Sequence, residues 1–126
     1  MGVNVRADDG AVVLSNFGRL MNDPRHVDAS RDVRELLDQG HRSFVLELGG
    51  LRDLGGSGLG LLTTLTRLIR QHGGDAVIAR PSAGVAAFLD EMRMDAYWET
   101  FPTVEEALAY FTKRAPRAAA EDDEAP

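Results

Sequence analysis

Asp53-Leu54-Gly55-Gly56-Ser57-Gly58-Leu59-Gly60 sets four glycines around one serine, and the flanking segments say what this loop joins. Upstream, Phe44-Val45-Leu46-Glu47-Leu48 is a β-rich run closed by Gly49-Gly50, which predicts a central strand. Downstream, Leu61, Leu62, Leu65, Leu68 and Ile69 recur at spacings of three and four until Gly73-Gly74, which predicts a helix. The loop therefore leads from the carboxyl end of a strand into a helix start. Function gathers there in open α/β sheets, and unpaired helix amides favour an anion.

Each familiar pattern for such a junction lacks a required part. A P-loop needs Gly-Lys-Ser/Thr, and no lysine precedes Lys113. A dinucleotide fingerprint needs GxGxxG, whereas Gly56, Gly58 and Gly60 recur at every second residue. A nucleophile elbow needs GxSxG, and Leu59 stands where its last glycine belongs. His26, His41 and His72 have no metal-ligand spacing and no motif tying them to Ser57. The remaining reading from the residues alone is that Ser57 caps its helix, as serine often does.

Outward from the loop, the chain alternates. Val3-Asn4-Val5-Arg6-Ala7 and Ala11-Val12-Val13-Leu14 flank Asp8-Asp9-Gly10, a hairpin turn signal because glycine accepts positive φ. Asp23-Pro24 starts a helix with Ala29, Val33, Leu36 and Leu37 on one face and Gly40 as its stop. Beyond Gly74, Ala76-Val77-Ile78-Ala79 reads as a strand. Pro81-Ser82 then caps a helix whose apolar stripe is Val85, Phe88, Leu89 and Met92. A weaker strand covers Tyr97–Phe101, and these aromatics are expected to close the core near the last helix. Thr103-Val104-Glu105-Glu106 reads as a capping box before Val104, Ala107, Leu108 and Phe111. The order β-β-α-β-α-β-α-(β)-α predicts an α/β domain: a mixed, mostly parallel sheet of four or five strands, one antiparallel edge and about four helices.

The loop resembles the signature of the STAS domain, the module of anti-sigma factor antagonists, whose usual sequence there is Asp-Ser-Ser-Gly-Leu-Gly before a Leu-rich helix. Ser57 matches the second serine of that signature, while Gly55 and Gly56 stand in place of Asp and the first serine. The resemblance extends to the hairpin leading into Gly18-Arg19-Leu20-Met21, where the family often has Gly-Glu-Leu-Asp. It also takes in Val45-Leu46-Glu47-Leu48-Gly49-Gly50-Leu51 and Phe101-Pro102-Thr103-Val104-Glu105-Glu106-Ala107-Leu108. It implies a partner-switching protein that is not an enzyme and needs no cofactor or metal. Ser57 would be phosphorylated by an anti-sigma factor that is a serine protein kinase, and a serine phosphatase would reset it. The implied docking surface is Gly55, Gly56, Gly58 and Leu59, with Met21, Asn22 and Asp23 at the start of the first helix. Leu59 lies off the main apolar stripe, so it is a partner contact if exposed. Two alternatives stay open: an unphosphorylated scaffold or accessory subunit of a signalling assembly or transporter ATPase, and a small nucleotide-binding protein.

At 126 residues the chain fits one core, and a 44% apolar, 27% charged composition is that of a globular protein. No apolar run approaches the roughly 18 residues of a membrane span, and no secretory signal opens the chain, so a cytoplasmic protein is expected. The absence of cysteine removes disulfides, thiolate metal sites and cysteine nucleophiles. The net charge is −6, and residues 115–126, with Arg117 against Glu121, Asp122, Asp123 and Glu124, carry −3 of it. The expected division is a domain over 1–114 and an acidic, disordered tail over 115–126. Basic residues are scattered, so no nucleic-acid footprint is expected.

Overall fold

Alternation within three short strands decides the architecture. In the computed structural model, which describes residues 4–8, 10–17 and 27–113, Val12, Leu14, Phe44, Leu46, Ala76 and Ile78 point to one side of a sheet. Ala11, Val13, Val45, Val77 and Ala79 point to the other. Both sets are buried, so the sheet is covered on both faces. The sheet has five strands in chain order: β1 (Asn4–Asp8), β2 (Ala11–Ser15), β3 (Ser43–Glu47), β4 (Asp75–Ala79) and β5 (Thr100–Phe101). β1 pairs antiparallel with β2 in a hairpin whose Gly10 has φ 80°, as the Asp-Gly signal requires. The other pairings are parallel.

Because β2, β3, β4 and β5 advance in one direction across the sheet, right-handed crossovers put the helices described between them on the same face. These are α1 (Val27–Asp38), α2 (Gly56–Gln71) and α3 (Ala83–Glu91). Val33 and Leu37 of α1, Leu62, Leu65 and Ile69 of α2, and Val85 and Leu89 of α3 form the larger core there. The last helix, α4 over 104–113, follows β5 and lies on the opposite face through Ala107, Leu108 and Phe111. The expected fold class is therefore observed.

Local signals act much as expected. Ser82 accepts from the Val85 amide at 3.1 Å and caps α3. Gly40 and Gly73, with φ 101° and 83°, follow α1 and α2 in the left-handed region. The Thr103 hydroxyl accepts from the Glu106 amide at 3.1 Å, but the Glu106 carboxylate accepts from that same hydroxyl rather than from a backbone amide, so the capping box is half made. Met92 ends α3 half-exposed instead of buried. The weak strand shrinks to Thr100–Phe101, and its aromatics divide between the two faces. Trp98 enters the larger core beside α2, while Phe101 packs against Tyr110 of α4, so only Phe101 closes the core near the last helix. The expected helix start at Asp23-Pro24 and the acidic tail lie outside the described residues.

Candidate functional site

The segment from β3 to α2 is held by a leucine at every third position. Leu48, Leu51 and Leu54 are buried, while Gly49, Gly50, Arg52, Asp53, Gly55, Gly56 and Ser57 are exposed. The Leu48 amide extends the ladder to the Ala79 carbonyl at 3.0 Å, and the Leu51 amide closes a turn onto the Leu48 carbonyl at 2.9 Å. The Ser82 hydroxyl donates to the Arg52 carbonyl at 2.9 Å, tying the loop to the start of α3. Gly84 permits that approach, since a Cβ there would lie 2.7 Å from the Arg52 carbonyl oxygen. Beside the loop, Arg80 pairs with Glu47 at 3.3 Å across the carboxyl ends of β4 and β3. The Glu47 carboxylate also accepts from the Gly49 amide, and a side chain at Gly49 would collide with this pair. The ties of Leu48 to Ala79, Arg52 to Ser82 and Glu47 to Arg80 are not visible in the spacing of the sequence, because each joins residues about 30 apart that only the fold brings together.

Ser57 is the second residue of α2, not its cap. The N-cap is Gly55, and no side-chain hydrogen bond caps the helix. The first helical hydrogen bond runs from the Leu59 amide to the Gly55 carbonyl at 2.9 Å. The amides of Gly56, Ser57 and Gly58 precede it and have no acceptor within the helix. No acidic residue stands in the first turn, so no carboxylate already neutralises the positive end of the helix dipole. The Ser57 hydroxyl is exposed and makes no hydrogen bond among the described residues. Such a site offers an accessible hydroxyl and accommodates an anion placed on it.

The structure redistributes the expected docking residues. Gly55, Gly56 and Ser57 form one exposed surface, whereas Gly58 and Leu59 are buried and Leu59 belongs to the larger core. The buried arc of α2 is wider than its leucine stripe and includes Leu59, in the larger core, and Thr66, which meets the Trp98 indole. The exposure that would make Leu59 a contact is therefore missing. Gly60, which sequence reasoning passed over, is exposed one turn beyond Ser57 with nothing near its missing side chain. Met21, Asn22 and Asp23 lie outside the described residues.

The family model for the STAS domain matches residues 4–107, which spans the sheet, the serine loop and the start of α4. The chain belongs to the STAS domain family. Among solved structures, this STAS domain resembles the crystal structure of a Thermotoga maritima protein described as a candidate anti-sigma factor antagonist. The TM-score is 0.70 at 18% identity, over 86% of this chain and 92% of that one. An NMR structure of the same protein, TM1081, gives a TM-score of 0.69 at 20% identity, over 83% and 84% of the two chains. At such identities the likeness is one of fold. No curated protein matches the sequence. Among the described residues, no helix of this STAS domain is long and apolar enough to cross a membrane.

Proposed function

We propose that this STAS domain is an anti-sigma factor antagonist that acts by binding rather than catalysis, with phosphorylation of Ser57 as its switch. The observation that carries the reading is the Ser57 hydroxyl: exposed, unused as a cap, and set in a first turn with open amides and no acid. Unmodified, the surface of Gly55, Gly56 and Ser57 docks an anti-sigma factor of the serine kinase type, with Met21, Asn22 and Asp23 as further contacts. The kinase transfers the γ-phosphoryl group of ATP to the Ser57 oxygen, and a serine phosphatase removes it. A phosphoserine adds about −1.5 to −2 charge at a helix start, where the dipole favours it, so the domain stays folded. The docked partner instead meets a dianion it must desolvate, and a loss of about 3–4 kcal/mol is several hundredfold in affinity.

Incubation with an anti-sigma kinase and ATP is expected to add one phosphate, detected by intact mass, and Ser57→Ala to abolish the addition. An unchanged wild-type mass with a kinase active on another antagonist counts against the switch. A second reading rests on Gly55-Gly56, which stand where the family has Asp-Ser: the domain docks its partner as an unphosphorylated scaffold. A Ser57→Asp protein that binds as tightly as wild type favours this second reading, whereas several-hundredfold weaker binding favours the first.

A further inference from the structure

The exposed residues of α2 form one face that continues past the serine site: Ser57, Gly60, Thr64, Arg67 and Gln71 recur at spacings of three and four. This helix carries no acidic residue, in a chain whose net charge is −6. The far half of the face borders a groove of about 230 Å³ between α1 and α2, walled by Ser30 and Arg34 on one side and Thr64, Arg67, Leu68 and Gln71 on the other. Arg34 and Arg67 thus line one concavity, and neither guanidinium has an ion pair among the described residues. Asp38, one turn beyond Arg34 on α1, makes no pair with it. By contrast Arg70, on the flank of the same helix, is spent on Asp75 at 2.9 Å and on the Tyr97 carbonyl at 2.7 Å.

Two unpaired guanidiniums facing one groove repel each other in the free protein, and a carboxylate between them removes that repulsion while gaining charge-assisted hydrogen bonds. Ser30 and Gln71 add neutral donors around it, while the Thr64 hydroxyl is already spent on the Gly60 carbonyl at 2.7 Å. The Arg67 position is ten residues from Ser57, about 15 Å along the helix at 1.5 Å per residue, a span that one partner segment lying along α2 covers. We propose that this groove receives an acidic segment of the protein partner that docks at Ser57, with Arg34 and Arg67 holding its carboxylates. The identity of the partner rests on the function proposed above. The charge recognition in the groove does not.

The test uses the full chain and hexaglutamate as probe. In 20 mM salt, titration of ¹⁵N-labelled protein is expected to shift the amides around Ser30, Arg34, Thr64, Arg67 and Gln71, with hexalysine giving none of these shifts. Arg34→Glu with Arg67→Glu is expected to weaken hexaglutamate binding at least tenfold. Arg93→Glu with Lys113→Glu, the same charge change elsewhere, is expected to leave it within twofold. Inorganic phosphate shifting the same amides at equal concentration would overturn the proposal by making the groove a general anion site. So would hexaglutamate shifts confined to other arginines, no shifts at millimolar peptide, or equal weakening by both double variants. The two readings fail separately: wild-type protein with an intact groove response but no kinase-dependent phosphate on Ser57 sinks the switch and leaves the groove standing, whereas phosphorylated wild-type protein with no groove response sinks the groove alone.

Discussion

Gly55 is extended, with φ −96° and ψ −175°, and neither it nor Gly56 has a positive φ or any atom near its missing side chain. Nothing in the backbone therefore demands glycine at either position, and the Asp-Ser of the family signature fits there without displacement. Asp at the N-cap would accept from a free amide of the first turn and add a favourable charge to the helix dipole, each a few tenths of a kcal/mol or more over glycine. Serine at the first helical residue removes part of the backbone entropy that glycine carries in the unfolded chain. Gly55→Asp with Gly56→Ser is expected to stabilise the domain by about 1 kcal/mol, read in chemical denaturation as a higher midpoint at unchanged slope. An unchanged or lower midpoint would show that the open space at these positions is not usable. A higher midpoint would make the double glycine a choice at the expense of stability, one that leaves Gly55, Gly56, Ser57 and Gly60 as an exposed surface with few side-chain atoms for a partner to approach.

Among elements, α2 connects the serine surface to the rest of the molecule, and its burial rests on more than leucine. Thr66 is fully buried, and its hydroxyl accepts from the Trp98 indole at 2.8 Å. Thr66→Val keeps the shape and removes the acceptor, leaving a buried N–H unsatisfied, a cost of about 1–3 kcal/mol. That loss is expected as a melting point lower by roughly 4–8 °C per kcal/mol. Adding Trp98→Phe removes the stranded donor, so a double-mutant cycle is expected to give a clear coupling between the two positions. Strict additivity would mean that the bond contributes nothing. This pair also marks where sequence reading stops. The leucine period predicted α2, and glycines and caps bounded it, because those signals act within a turn of helix. The Thr66–Trp98 bond joins residues 32 apart, and Leu59 is buried in the larger core although it lies off the leucine stripe, so neither has a local signature. The serine itself was legible from its motif, but its standing as second residue rather than cap turned on where the helix begins, a matter of one or two residues that periodicity does not settle.

For the whole molecule, the order of the strands makes the two faces unequal. A sheet that advances in one direction gathers α1, α2 and α3 on one face and, among the described residues, leaves the other to α4. Ala11, Val13, Val45, Val77 and Ala79 form an apolar surface that Ala107, Leu108 and Phe111 cover. Ending the chain at Pro102 would bare this surface, and exposed apolar patches of that kind drive association. Phe111→Ala is expected to cost about 3–5 kcal/mol, the usual range for a buried phenylalanine, near the low end because Phe111 keeps 8% of its surface exposed. Residues 115–126 carry half of the net charge: ending the chain at Arg114 takes it from −6 to −3. If residues 115–126 make no packed contact, a chain ending at Arg114 is expected to melt within about 4 °C of full length, since such surface changes stay within about 0.5 kcal/mol. It should also elute earlier from an anion exchanger. A chain ending at Pro102 is expected to aggregate or fail to give a cooperative transition. If the Arg114 chain instead melts well beyond about 4 °C lower, the acidic segment has a stabilising contact, and loss of that effect in high salt would make the contact one between its four acids and basic side chains.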